Sequence, residues 1–141
     1  MHLVLTDRLT CSRCGPTFGL ILLADQLQER RVHEGRLGCA NCRDRYEIHR
    51  GFGDLRPAPR APFVTDDDAD VTAALDEAER AEAVLLPALL GLSSGPGHTV
   101  LVGRAVRWVH ALRAELPGDA EFVAIDPETR HWPESEGVSR R

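Results

Sequence analysis

Apolar and polar positions alternate in Arg45–His49 (RYEIH), which predicts a β-strand with Tyr46 and Ile48 on one face. Upstream, Leu3, Leu5 and Leu9 fit a short strand or a single helical turn equally well. Residues 18–24 (FGLILLA) form a short apolar run after Gly15-Pro16, and residues 31–37 (RVHEGRL) predict a strand, a glycine-containing turn and a strand. Gly51 and Gly53 end the RYEIH strand. In the second half the period changes. Val71, Leu75, Ala78, Leu85 and Leu89 recur at spacings of three, four and seven, the stripe of an amphipathic helix, with Asp76, Glu77 and Arg80 opposite and Pro87 kinking or ending it. Residues 98–102 (HTVLV) predict a strand ending at Gly103, residues 104–116 a helix closed by Pro117-Gly118, and residues 121–126 (EFVAID) a second strand parallel to the first.

Between these halves lie Pro57, Pro59 and Pro62, followed by Asp66, Asp67, Asp68 and Asp70, a composition that resists regular structure and reads as a spacer. The aspartates precede a helical pattern, so capping its positive end is a better reading than cation binding. The expected organisation is a cysteine-bearing module over 1–56, a spacer over 57–68, a helix plus strand-helix-strand unit over 69–126, and a polar tail over 127–141 containing Trp132.

Four cysteines change the picture most. Cys11-Ser12-Arg13-Cys14 and Cys39-Ala40-Asn41-Cys42 are two CxxC pairs and account for every cysteine in the chain. Two residues between thiols let the backbone turn once and aim both sulfurs at one ion, with Gly15 and Gly38 easing the turns. A redox dithiol or two small disulfides share this spacing, but two matching halves favour structural Zn2+ held by four thiolates at about 2.3 Å. Such a shell leaves no position for a reacting water, and the ion supplies on the order of 10 kcal/mol of folding free energy. The fold class that follows is α+β: a four-cysteine zinc ribbon of small antiparallel β structure, linked to a truncated α/β unit.

The blocks LTCSRCG, RVHEGRLGCANC and RYEIHRGFGDLR, in that order over residues 1–56, resemble the small zinc-ribbon activator subunits of tRNA, rRNA and release-factor methyltransferases. Ser12 and Glu47 stand where members of that family typically carry proline. The resemblance implies a noncatalytic protein that pairs with a methyltransferase through an exposed ribbon strand and an apolar patch, keeping it soluble and competent. It makes Tyr46, Ile48 and Phe52 candidate contacts, with packing over the zinc site as their alternative role. Residues 84–127 resemble the opening of a Rossmann-like methyltransferase domain. Gly103 is followed by Arg104, Ala105 and Val106, whose side chains occupy the approach a nucleotide needs, and Asp126 before Pro127 reads as a turn residue.

No catalytic constellation emerges: His2, His33, His49, His98, His110 and His131 are scattered, and Trp108 falls among apolar helix positions. Ten arginines face seven acids in residues 1–62, and seven face fifteen in residues 63–141, giving +3 and −8. That balance favours a protein partner over unaided nucleic-acid binding. The rival reading is an RNA or ribonucleoprotein adaptor using Arg30, Arg31, Arg36, Arg43 and Arg45. Two parallel strands make a narrow sheet, so the C-terminal unit is expected to form a homo-oligomer or lend its edge to another chain. With no membrane-length apolar run and no secretory start, a cytoplasmic setting is expected.

Overall fold

The structure, a computed structural model, describes residues 1–61, 75–92, 95–116, 118–133, 135 and 137–141 of the 141-residue chain. It is a mixed α/β protein that divides into two compact units, Met1–Ala69 with Arg141 and Asp70–Arg140. The expectations for Asp66, Asp67, Asp68, Asp70 and Val71 lie outside the described residues. Among the described residues, no helix is long and apolar enough to cross a membrane.

The N-terminal unit opens with the single helical turn α1 (Leu3–Thr6), which resolves the ambiguity of the leading leucines. It is tied in on both sides: the Leu3 N–H donates to the Arg30 carbonyl at 2.7 Å, and the Val32 N–H to that of Met1 at 2.8 Å. Five antiparallel strands follow, β1 (Thr10–Cys11), β2 (Gly15–Gln28), β3 (Arg31–Cys39), β4 (Arg45–His49) and β5 (Phe52–Gly53), each paired with the next. On β4, Tyr46 and Ile48 are buried on one face as the alternation predicts, with Leu37 of β3 opposite Tyr46.

Two expectations about the hairpin need correction. Residues 31–37 are not a hairpin: β3 is one continuous strand, and the reversal falls at Glu29 and Arg30, both with positive φ (48° and 63°). Gly35 instead serves a close approach. A Cβ there would lie 2.6 Å from the Leu23 carbonyl oxygen, where β2 bulges between Ala24 and Gln26. The apolar run at residues 18–24 is likewise only the middle of a 14-residue strand, because pairing with β3 carries the polar stretch through Gln28 along with it.

The C-terminal unit starts at α2 (Glu77–Leu90). Asp76 caps it in a reciprocal box: its carboxylate accepts the Glu79 N–H at 2.8 Å, while the Glu79 carboxylate accepts the Asp76 N–H at 3.0 Å. Pro87 neither ends nor breaks α2, since it lies one turn from the end and deletes a single hydrogen bond. The helix stops instead at Gly91 in the left-handed conformation. Of the predicted stripe, Leu85 and Leu89 are exposed; Ala83 is buried, and Leu86 packs on the core.

Strands β6 (Gly97–Val102) and β7 (Ala120–Ile125) are parallel, as expected. The chain between them is a 3-10 helix, Gly103–Trp108, followed by α3 (Val109–Glu115), where a continuous helix was expected. No side chain caps its start, so the first turns stay in the tighter form. Leu101, Val106, Val109, Leu112, Phe122, Ala124, Trp132 and Val138 form the core, and Trp108 packs against it.

The tail is the larger correction. Asp126 caps a 3-10 turn at Pro127–His131 by accepting the Glu128 N–H at 2.9 Å, the turn role expected of it. Trp132 is buried, its ring tilted against His110. β8 (Val138–Arg140) then pairs parallel with β7, giving the order β8-β7-β6 and a third strand. Its polar residues are buried with partners. Ser139 Oγ donates to Glu121 Oε1 at 2.6 Å, and the Arg140 guanidinium donates to the carbonyls of Thr129 and Trp132.

Candidate metal centre

The four sulfurs are delivered by strand ends of the N-terminal unit. Cys11 closes β1, Cys14 precedes β2, Cys39 closes β3, and Cys42 lies in the turn before β4. In the first knuckle the Cys14 N–H donates to Cys11 Sγ at 3.4 Å, and Gly15, at φ 85°, lets the chain leave the turn. In the second, the Arg43 N–H donates to the Cys39 carbonyl at 2.9 Å, and the Cys39 N–H to that of Asp44 at 3.0 Å. Arg43, at φ 61°, takes the turn role expected of Gly38, which is a β3 residue paired with Ile21 and Arg45.

All four sulfurs lie within 4.8 Å of one another, with Cys11 to Cys42 at 3.7 Å and Cys14 to Cys39 at 3.9 Å. These separations are nearly twice a disulfide bond, and the thiols are free. A tetrahedron of sulfurs about 2.3 Å from a central ion has edges of about 3.8 Å, so the cluster fits such an ion with no rearrangement. Among the described residues it is the one group of three or more such ligands gathered in this way. His49 is engaged elsewhere, its Nδ1 3.0 Å from Glu34.

The electrostatics set the acidities of two of the sulfurs, Cys11 and Cys42, far apart. Burial pushes the Cys11 thiol up, but hydrogen bonds from Tyr46, from the backbone of Cys14 and Arg13, and from Cys39 together bring it down to about 6. At Cys42 the Asp44 backbone N–H pulls the other way, yet burial and the three neighbouring cysteines drive it up to about 12. The Cys11 thiolate forms readily and opposes ionisation of Cys42. A divalent ion among the sulfurs would offset that opposition, which suits the cluster to holding a metal.

Around the sulfurs sits a second layer that the motif does not announce. The Tyr46 hydroxyl lies 3.2 Å from Cys11 Sγ and 3.1 Å from Ser12 Oγ, and burial with the Cys11 contact raises it to about 12, so it remains a donor. Asn41 Nδ2 donates to Cys14 Sγ at 3.4 Å. Arg60 covers the Tyr46 ring and pairs with Asp44. No sequence signal marked Arg60, because its neighbours Pro57 and Pro59 read as spacer.

Tyr46, Ile48 and Phe52 are buried, at 0%, 2% and 7% exposure, which fits the packing alternative of their two expected roles. Among the described residues, the exposed large apolar side chains of this unit are on β2: Phe18, Ile21, Leu23 and Leu27. Arg30 precedes β3 and Arg31 begins it, while Arg43 and Arg45 lie beside its far end, Arg45 opposite Gly38. Eight strand steps, about 26 Å, separate the two groups, with Arg36 between. In comparisons with known proteins, no family model and no curated protein matches the chain.

Proposed function

We propose that the N-terminal unit is a zinc ribbon whose ion is structural, and that the protein is a noncatalytic accessory subunit that binds and stabilises a methyltransferase. Four sulfurs complete the shell of Zn2+, so the ion offers no site for a substrate or an activated water. What the ion does is hold β1, β3 and the two knuckles together.

The observation that carries the binding role is β2. Its residues Ile21, Leu23 and Leu27 are 59%, 52% and 52% exposed, far more than a buried strand permits. β1 covers only the Gly15–Gly19 end of its outer edge, and beyond Leu20 that edge has no strand partner among the described residues. A long apolar edge strand left bare invites aggregation unless another chain pairs with it. The contact role thus passes from Tyr46, Ile48 and Phe52 to Phe18, Ile21, Leu23 and Leu27. The C-terminal unit belongs to the same reading as a truncated Rossmann-like fragment without catalysis. The outer edge of β6, which has no strand partner among the described residues and carries exposed Val100 and Val102, is its place for a second copy or another chain.

The test is affinity purification of the full chain from its native cell extract, beside an Ile21→Glu/Leu23→Glu variant. The expected result is a methyltransferase that copurifies with the wild type, is lost from the variant, and is lost while the variant retains its zinc. Salt-sensitive RNA binding by the purified protein with no copurifying methyltransferase would overturn the reading in favour of the adaptor.

A further inference from the structure

Arg60 has no counterpart in the cysteine motif, yet it touches both halves of the cluster through one contact each. Its guanidinium carbon lies 4.6 Å from the centroid of the Tyr46 ring, and the Tyr46 hydroxyl reaches Cys11 Sγ at 3.2 Å. Its Nη2 donates to Asp44 Oδ2 at 3.0 Å. Asp44 holds the second knuckle in turn: its carbonyl accepts the Cys39 N–H at 3.0 Å, and its backbone N–H hydrogen-bonds Cys42. One cation therefore braces the first knuckle through an aromatic ring and the second through a carboxylate.

The same side chain gathers the backbone that follows β5. Arg60 Nε donates to the Arg56 carbonyl. Arg56 grips Asp54 in a fork, Nε to Oδ1 at 2.9 Å and Nη2 to Oδ2 at 2.8 Å, and Nη2 also donates to the Ala61 carbonyl at 3.0 Å. The result is a closed loop over residues 54–61 that rests on the cysteine cluster.

These contacts are placed where they have energetic weight. The side chains of Arg60 and Asp44 are only 21% and 9% exposed, so their charge-assisted hydrogen bond is little screened by water. A cation over a tyrosine face is held by the ring's quadrupole and so restrains the ring whose hydroxyl contacts the sulfur. Four thiolates and one divalent ion leave two negative charges, which a nearby cation partly offsets. Groups outside the ligand shell commonly set metal affinity by orienting the ligands.

We propose that Arg60 is a positioning residue of the metal site: it holds Tyr46 and Asp44 against the cysteines and, reciprocally, the bound ion fastens residues 54–61 to β4 and the second knuckle. This rests on the metal reading above, and reciprocity follows because any contact that favours the ion is favoured by it.

The test uses the full chain loaded with Zn2+ or with Co2+, comparing wild type, Arg60→Gln, Arg60→Lys, Tyr46→Phe and the Tyr46→Phe/Arg60→Gln double variant. Competition with a chelator reads ion affinity, and backbone hydrogen exchange on the loaded proteins reads residues 54–61. Arg60→Gln is expected to lower affinity about tenfold or more. Arg60→Lys falls between, because it keeps the charge and loses the fork. In the double variant the loss is smaller than the sum of the two single losses, since the changes share the route through the Tyr46 hydroxyl while Arg60 has a separate one through Asp44. Exchange across 54–61 accelerates in Arg60→Gln with the ion still bound. Should Arg60→Gln fail to fold, Asp44→Asn cuts the same ion pair and is expected to move both readouts in the same direction. Wild-type affinity in a folded variant whose thiolate-to-cobalt absorption is unchanged, or unaltered exchange across 54–61, overturns the proposal. A wild-type chain that takes up neither ion overturns the metal reading instead.

Discussion

The two units reach a folded state by different means. The C-terminal unit has an ordinary interior, with Leu101, Val109, Leu112, Phe122 and Val138 packed between α3 and a parallel sheet. The N-terminal unit has five strands, two of them only two residues long, and leaves Ile21, Leu23 and Leu27 of its longest strand in water. Its cysteines gather where a larger protein would place apolar side chains. A small β-module with much of its apolar surface outside needs a staple. The contrast teaches where a staple would matter: on the proposed reading, exposure on β2 is tolerated because an ion held by the four sulfurs ties down the base of the sheet.

The sharpest way to break this contrast is to remove the ion. Chelation, or Cys39→Ser, is expected to withdraw on the order of 10 kcal/mol from the N-terminal unit and unfold it, while β6 and β7 keep their amide protection. Amide exchange resolved by residue checks this, and equal loss in both units would end the comparison. The converse perturbation is Phe122→Ala. It empties a fully buried position and is expected to cost about 3–5 kcal/mol in the C-terminal unit, with ion affinity unchanged. Thermal unfolding beside chelator competition reads both.

Acid sharpens the contrast further. Three carboxylates of the N-terminal unit are held below their usual values: Glu34 by the Arg50 N–H and His49, Asp54 by the Arg56 fork, and Asp44 by Arg60 against the opposing effect of burial. A carboxylate lowered in the folded state binds its proton more readily when unfolded. Its stabilisation is therefore present above the unfolded value, about 3.9 for aspartate, and is lost as pH falls through the lowered folded value. Protons compete with the ion for sulfur in the same direction. Denaturant titrations across that range are expected to show stability falling as the pH drops, with a shallower fall in Asp44→Asn. The smallest expected effect is Asp76→Ala, which opens the capping box of α2 at a cost of about 1 kcal/mol and leaves the N-terminal unit untouched.

The paired cysteines were legible because ligand spacing is local: two residues between thiols suffice to converge them. Strand β4 was legible because one face is buried and the other wet, and β6 and β7 because they are short apolar runs bounded by glycine and proline. What escaped was set by contacts between distant residues. The reversal at Glu29 and Arg30 uses positive φ on residues that rarely adopt it, while Gly35, the obvious turn former, is required by the approach of Leu23. Val-Ser-Arg carries no hydrophobic signal, and β8 forms because Ser139 and Arg140 find buried partners. Arg60 looked like part of a proline-rich spacer, and only the folded chain brings it over Tyr46.

The central claim is that one ion, bound by Cys11, Cys14, Cys39 and Cys42, organises the N-terminal unit. Elemental analysis of protein purified without chelator or oxygen, paired with thiol titration before and after denaturation, tests it most directly. The account predicts one equivalent of zinc per chain and four thiols that react only after denaturation. Native protein without bound metal and with four freely reactive thiols would contradict it.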